Sequence, residues 1–154
     1  MKIVISSGYY DPLNGLGHIT YFKLSKQIAG ADGKLVVIVN NDDQAILKKG
    51  KYFMNCDDRV TIIKELRDVD DVVKSIDKDR TVIETIKFVV EKYREEYKNS
   101  GIELSFYFCN GGDAFNNNIP EKPICDLLDV KLIDGLGDKV SSSSWLTGLK
   151  QVVS

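Results

Sequence analysis

The chain reads as an α/β protein: an open, parallel, five-stranded sheet with helices on both faces. Three observations predict it. Short apolar, β-branched runs alternate with longer stretches of helical periodicity along all 154 residues. The run Leu35-Val36-Val37-Ile38-Val39 is apolar on both faces, as a central parallel strand is. No linker, internal repeat or low-complexity segment divides the chain, apart from four consecutive serines near its end. One domain over residues 1–154 is therefore expected, of a size that supports one core.

The elements follow in order. Ile3-Val4-Ile5 is a buried first strand, and the glycine- and proline-bearing stretch from Ser6 to Gly17 is a turn region. From His18 the pattern turns helical, with Tyr21, Leu24, Ser25 and Ile28 on one face, and Gly30 and Gly33 stop it. Lys34 to Asn40 is the second strand; Asn41 to Lys51, polar and basic, reads as a surface loop. Asp57 or Asp58 caps a second helix whose core face carries Val60, Ile63 and Leu66. Val69 to Ile76 gives a third strand. Arg80 to Lys98 carries Ile83, Ile86, Val90, Tyr93 and Tyr97 at spacings of three and four, a helix of about five turns. Gly101 ends it. Ile102, Leu104, Phe106 and Phe108 then alternate with Glu103, Ser105 and Tyr107 as a fourth strand. Pro120 to Leu128 is a short helix, Val130 to Ile133 a fifth strand, and a last helix starts among the serines after a loop from Asp134 to Ser141.

Composition narrows the function classes. The net charge of −2 offers no basic nucleic-acid patch and no polybasic membrane anchor, so a small-molecule ligand is expected, with no nucleic acid and no membrane. No apolar run approaches the roughly 20 residues of a membrane helix. Met1 to Ser6 reads directly as a strand, which leaves no signal at the N-terminus. Cys56, Cys109 and Cys125 fit no C-x-x-C spacing; a sparse, odd set suits a reducing compartment, so the cytoplasm is expected and the cysteines read as packing residues.

In such sheets ligands bind beyond the carboxyl ends of the strands, near the switch point of strand order. The first loop, Gly8-Tyr9-Tyr10-Asp11-Pro12-Leu13-Asn14-Gly15-Leu16-Gly17-His18, has the means. Its glycines let a ligand come close, and the helix behind it presents free N–H groups to an anion. His18, the only histidine, falls in the first helical turn, where it either donates to a phosphate oxygen or is structural. No stretch matches the G-x-x-x-x-G-K-[ST] phosphate loop. Gly15-Leu16-Gly17-His18-Ile19-Thr20 has two glycines of a dinucleotide fingerprint but threonine in the third place, and it lies some ten residues past the strand. Asp42 stands at a passable distance for the ribose contact of that alternative.

The first loop resembles the signature G-x-F-D-x-x-H-x-G-H of the cytidylyltransferase-like nucleotidyltransferase superfamily, to which glycerol-3-phosphate cytidylyltransferases and heptose-phosphate adenylyltransferases belong. The likeness continues along nearly the whole chain. Val39-Asn40-Asn41-Asp42 resembles the end of the family's second strand, and Lys48-Lys49-Gly50-Lys51 its basic phosphate loop. Asp58-Arg59, then Leu66 to Val73, resembles the following helix and strand. Asn110-Gly111-Gly112-Asp113 resembles the Gly-Gly-Asp loop, and Val140 to Trp145 the Ile-Ser-[ST]-[ST] motif. One departure stands out. The segment is one residue longer after Asp11, and only the second histidine is present, as His18; the first is replaced by Asn14 or Gly15.

The resemblance implies a Rossmann-like sheet and transfer of CMP, or AMP, from a nucleoside triphosphate to a small phosphorylated acceptor, with release of pyrophosphate. Positioning and charge stabilisation dominate such chemistry. It implies His18 as a donor to the α-phosphate, Asn14 as a neutral donor in place of imidazole, and Lys48, Lys49 and Lys51 on the outer phosphates, Lys51 and Lys49 foremost. Gly8, Tyr9, Tyr10, Gly15, Gly17, Gly111, Gly112, Asp113, Ser142, Ser143 and Ser144 would line the nucleotide, with the serines forming a second anion-binding helix start. Asp11 and Arg59 would contact the acceptor, unless Asp11 caps a turn and Arg59 pairs with a neighbouring aspartate. Trp145 is expected to pack. Mg2+ is expected to ride on the triphosphate, without a protein cage. CTP is favoured slightly over ATP, and members of the family are often homodimers. The lost histidine keeps a non-catalytic nucleotide-binding relative open as the alternative.

Overall fold

The computed structural model describes residues 1–109 and 119–133. Five parallel strands form one sheet in the order β3-β2-β1-β4-β5: β1 (Lys2–Gly8), β2 (Lys34–Val39), β3 (Asp71–Lys74), β4 (Ser105–Cys109) and β5 (Val130–Ile133). Helices α1 (Thr20–Ala29), α2 (Asp42–Lys49), α3 (Cys56–Lys64), α4 (Ile83–Tyr97) and α5 (Lys122–Leu127) connect or flank them. The expected Rossmann-like α/β architecture is the one observed.

Period-two alternation divides the core into two clusters. Ile3, Ile5, Val36, Ile38, Phe106 and Phe108 pack against α4 and α5 through Ile86, Val89, Val90, Tyr93 and Cys125. Val4, Leu35, Val37, Val39, Val72 and Cys109 pack against α1 and α3 through Phe22, Ala29, Cys56 and Ile63. Every residue from Leu35 to Val39 is fully buried, as the two-faced apolar run requires. All three cysteines are free and buried.

The order places β1 at the centre, with successive connections running to β2 and β3 on one side and to β4 and β5 on the other. The switch point therefore lies between the carboxyl ends of β1 and β4, where Ser6 stands opposite Cys109. Gly8, at the end of β1, stands opposite Val39.

Four local expectations need correction. The stretch from Asn41 to Lys51 is not a loop: it holds α2, started by a capping box between Asn41 and Gln44 and ended by Gly50 at φ +83°. Polar composition hid an amphipathic helix whose buried face is only Gln44 and Ala45. The cap of α3 is Asn55, which accepts from the Asp58 N–H, and not Asp57 or Asp58. At α5 the proline inside the first turn is Pro123, and Pro120 precedes the helix. The helix expected from His18 begins at Thr20, behind a distinct turn described below. The last helix and Trp145 lie outside the described residues.

Candidate active site

The loop between β1 and α1 is built around Asn14. Its side-chain oxygen accepts from the Gly17 N–H at 2.6 Å and the His18 N–H at 3.2 Å. Its carbonyl accepts from the Ile19 N–H, five residues on, and the Thr20 N–H reaches the Gly15 carbonyl with the same spacing. Gly15–Ile19 is thus one π-helical turn leading into α1. A π turn takes up one residue more per turn than the α-helix it feeds, and such turns cluster at functional sites. Glycine is needed at position 17, where a Cβ would stand 2.7 Å from the Asn14 oxygen.

The turn fixes the chemical form of His18. The Asn14 backbone N–H donates to Nδ1 at 3.1 Å. Nδ1 is therefore the acceptor, and the neutral ring carries its proton on Nε2. Burial pushes the His18 pKa below its usual value, and the nearby Lys49 ammonium pushes it further. Tyr10 holds the ring edge-on, with centroids 5.0 Å apart, and its own ring lies over Gly8, where a Cβ would come within 2.7 Å. Tyr10 sits in the left-handed region at φ 53°. The result is a half-buried imidazole at the start of a helix, a neutral Nε2–H donor beside a lysine.

Basic side chains gather at the end of α2. The Lys48 ammonium lies 4.4 Å from the centre of the Tyr9 ring and that of Lys49 5.9 Å. Lys48 is held below its usual pKa by partial burial and by repulsion from Lys49 and Arg80. None of Lys48, Lys49, Lys51 and Arg80 has an ion-pair partner among the described residues.

Asp11 and Arg59 serve the protein itself. Both Asp11 oxygens accept backbone N–H groups, Phe53 at 2.7 Å and Met54 at 2.7 Å, and so clasp the segment that carries Lys51 to the first loop. Arg59 is buried. Its guanidinium donates to the carbonyls of Met54, Tyr9 and Asn40 and to the Asp42 carboxylate, at 2.7–3.0 Å. It joins the first loop, the end of β2, the start of α2 and the segment before α3. These contacts give both residues a positioning role within the protein. For Arg59, pairing with a neighbouring aspartate is what the structure shows. Asp42, weighed as a ribose contact, likewise accepts from the Cys56 N–H and Arg59.

The structure brings together Gly8, Tyr9, Tyr10, Asn14, Gly17, His18 and the Lys48–Lys49 pair. Lys51 stands exposed just beyond Gly50, and Gly15 has open space around its Cα. Gly111, Gly112, Asp113, Ser142, Ser143 and Ser144 lie outside the described residues. Two residues were missed, Asn41 and Gln44. Their capping box was readable as Asn-x-x-Gln before an apolar residue.

The profile described as "Cytidylyltransferase-like" matches residues 5–138. The chain belongs to this family. Curated relatives include an FAD synthase of Pyrococcus abyssi, 35% identical over 71 residues, covering 46% of this chain and 45% of that protein. An FAD synthase of Methanothermus fervidus is 32% identical over 82 residues, covering 48% and 56%. The chain thus spans about half the length of the curated relatives it matches. A solved structure, the lipopolysaccharide core biosynthesis protein from Thermoplasma volcanium GSS1, superposes with a TM-score of 0.58 at 24% identity, over 87% of this chain and 95% of that one. That likeness supports the fold. No described helix is long and apolar enough to cross a membrane.

Proposed function

We propose that the protein transfers a nucleoside monophosphate from a nucleoside triphosphate to a small phosphorylated acceptor, releasing pyrophosphate. The observation that carries this reading is the Asn14-capped π turn, which presents a neutral His18 Nε2–H at the start of α1 beside Lys49. The acceptor oxygen attacks the α-phosphorus and pyrophosphate leaves in line, so the protein's task is to hold the groups and stabilise charge on the phosphoryl oxygens. His18 donates to an α-phosphate oxygen, and Lys49, with Lys51, neutralises the outer phosphates. The Asn14 oxygen is committed to the turn, so this residue acts chiefly by shaping it.

AMP is the favoured group. The relatives matched over 46% and 48% of the chain are named FAD synthases, a name that favours an adenylyl group and outweighs the slight preference of the sequence for CMP. A divalent ion such as Mg2+ is expected on the triphosphate. Such an ion would be bound mainly by phosphate oxygens and water. When bound, it would withdraw charge from those oxygens.

The test is pyrophosphate release with each of ATP, CTP, GTP and UTP, against a panel of phosphorylated acceptors that includes a flavin phosphate. Acceptor-dependent release with one nucleotide is expected. Nucleotide binding with no release for any acceptor would favour the non-catalytic alternative.

A further inference from the structure

Tyr10 has a backbone conformation that bulky side chains avoid. Its φ of 53° lies in the left-handed region, which glycine takes freely and an aromatic residue takes at a cost. Its neighbours are anchored on both sides. The Gly8 carbonyl accepts from the Asn40 N–H at 2.9 Å and the Tyr9 carbonyl from Arg59 at 2.7 Å, while the Asp11 carboxylate holds the Phe53 and Met54 N–H groups. Between these anchors Tyr10 is buried, 5% exposed. Its ring runs back over Gly8, lies 5.2 Å from the Phe22 ring at 55°, and meets the His18 imidazole at 5.0 Å and 82°. Its hydroxyl is buried and has no hydrogen-bond partner among the described residues. Strain of this kind persists where the surroundings over-determine it, and it gathers at functional sites.

Resting on the function proposed above, we propose that Tyr10 is the positioning residue for His18: its ring sets the direction in which Nε2–H meets the α-phosphate. The bond from the Asn14 N–H to Nδ1 fixes one nitrogen but leaves the imidazole room to tilt about that contact. A ring set across it at 82°, itself backed by Phe22 and by the backbone at Gly8, removes the tilt. Glycine at position 8 is part of the device, since a Cβ there would stand 2.7 Å from the Tyr10 ring and drive it off. A transition-state donor must be held within about 0.5 Å of its place, and a misplacement of about 1 Å costs about 10² in rate. The hydroxyl makes no bond to the described residues, so the ring carries the role. Arg59 and Asp11 bear on the chemistry through the same residue, because they pin the chain on either side of it.

The test couples kinetics to the NMR resonance of the only histidine. Tyr10→Phe keeps the ring and should match the wild type in pyrophosphate release, in the Nε2–H tautomer and in the titration midpoint of His18. Tyr10→Leu keeps an apolar side chain and removes the ring. Its kcat should fall about tenfold or more with nucleotide affinity within about threefold, and the His18 midpoint should rise toward its ordinary value as water reaches the imidazole. His18→Ala supplies the other half of a double-mutant cycle. In that background Tyr10→Leu should cost no further rate, because a residue that acts through His18 has nothing left to position. Gly8→Ala, which displaces the ring without removing it, should move the His18 midpoint in the same direction, and it keeps the test open where Tyr10→Leu does not fold. An unchanged His18 tautomer and midpoint in these variants, losses in Tyr10→Leu and His18→Ala that multiply, or a loss in Tyr10→Leu confined to nucleotide affinity would each overturn the proposal. So would a Tyr10→Phe variant as slow as Tyr10→Leu. A wild type that releases no pyrophosphate with any acceptor would refute the proposed function, and the His18 resonance in Tyr10→Leu and Gly8→Ala would still decide whether Tyr10 sets the imidazole.

Discussion

Replacing Arg59 with leucine tests how far the site's shape rests on one buried guanidinium. The side chain is 1% exposed and gives up four hydrogen bonds, to the carbonyls of Tyr9, Asn40 and Met54 and to Asp42. Leaving a buried acceptor unpaired costs about 1–3 kcal/mol, and removing one partner of a buried pair about 3–5 kcal/mol. Two effects reduce the sum. Asp42, 34% exposed, rehydrates, and the leucine packs against Cys56 and Ile63. A net loss of about 3 kcal/mol is expected, a large part of the roughly 5–15 kcal/mol that stabilises an ordinary domain. Urea unfolding at pH 7 should show a lower midpoint with the slope unchanged, and the thermal midpoint should fall by roughly 6–12 °C. Asp42→Asn, which touches only the half-exposed end, should cost about 1 kcal/mol or less. A loss below about 1 kcal/mol for Arg59→Leu would refute the view that this residue ties the loops together.

Other predictions follow from the same contacts. Asp11→Ala removes the acceptor of the Phe53 and Met54 N–H groups; both amides should exchange with solvent faster, and nucleotide affinity should fall while the fold persists. His18→Ala should lower the rate of pyrophosphate release by about 10²–10³ with nucleotide affinity little changed, the usual result of removing one transition-state donor. The pH dependence has a definite sign. Burial and Lys49 hold His18 below 6.5, so the unfolded chain takes the proton first; native stability declines as pH falls below about 6.5, and activity falls only at the lower pH where the folded imidazole takes its proton. Because His18 is the only histidine, one imidazole resonance should report an Nε2–H tautomer at pH 7, and Lys49→Ala should move its titration upward. Burial pushes the Cys109 and Cys125 thiols up to about 12 and raises Cys56 as well, so a thiol reagent should label none of them until the protein is unfolded.

Much of the fold was legible because two-faced burial leaves a plain record. Leu35 to Val39 could only be a covered central strand, and the spacing from Ile83 to Tyr97 could only be one long helix face. α2 was not legible from hydrophobic period, since it buries little more than Gln44 and Ala45 and exposes Ile46 and Leu47. Its start was written in capping chemistry, which a search for apolar stripes passes over. At the site, His18 and the lysines stood out as residue types suited to phosphate. Asp11 and Arg59 did too, but a charged side chain in sequence does not tell whether its partner is a ligand or the protein's own backbone. Their hydrogen bonds to the protein span 42 to 50 residues of sequence and are visible only in three dimensions. The π turn over Gly15–Ile19, just before α1, was not legible, because it depends on the Asn14 cap.

The central claim is that the loop from Gly8 to His18, with the end of α2, forms a nucleoside triphosphate site. Thermal unfolding with Mg2+ and each of ATP, CTP, GTP and UTP tests it most directly. A nucleotide present at about 100 times its Kd should add roughly 2.7 kcal/mol and raise the midpoint by several degrees, with ATP expected to lead. No shift with any of the four nucleotides would contradict the claim.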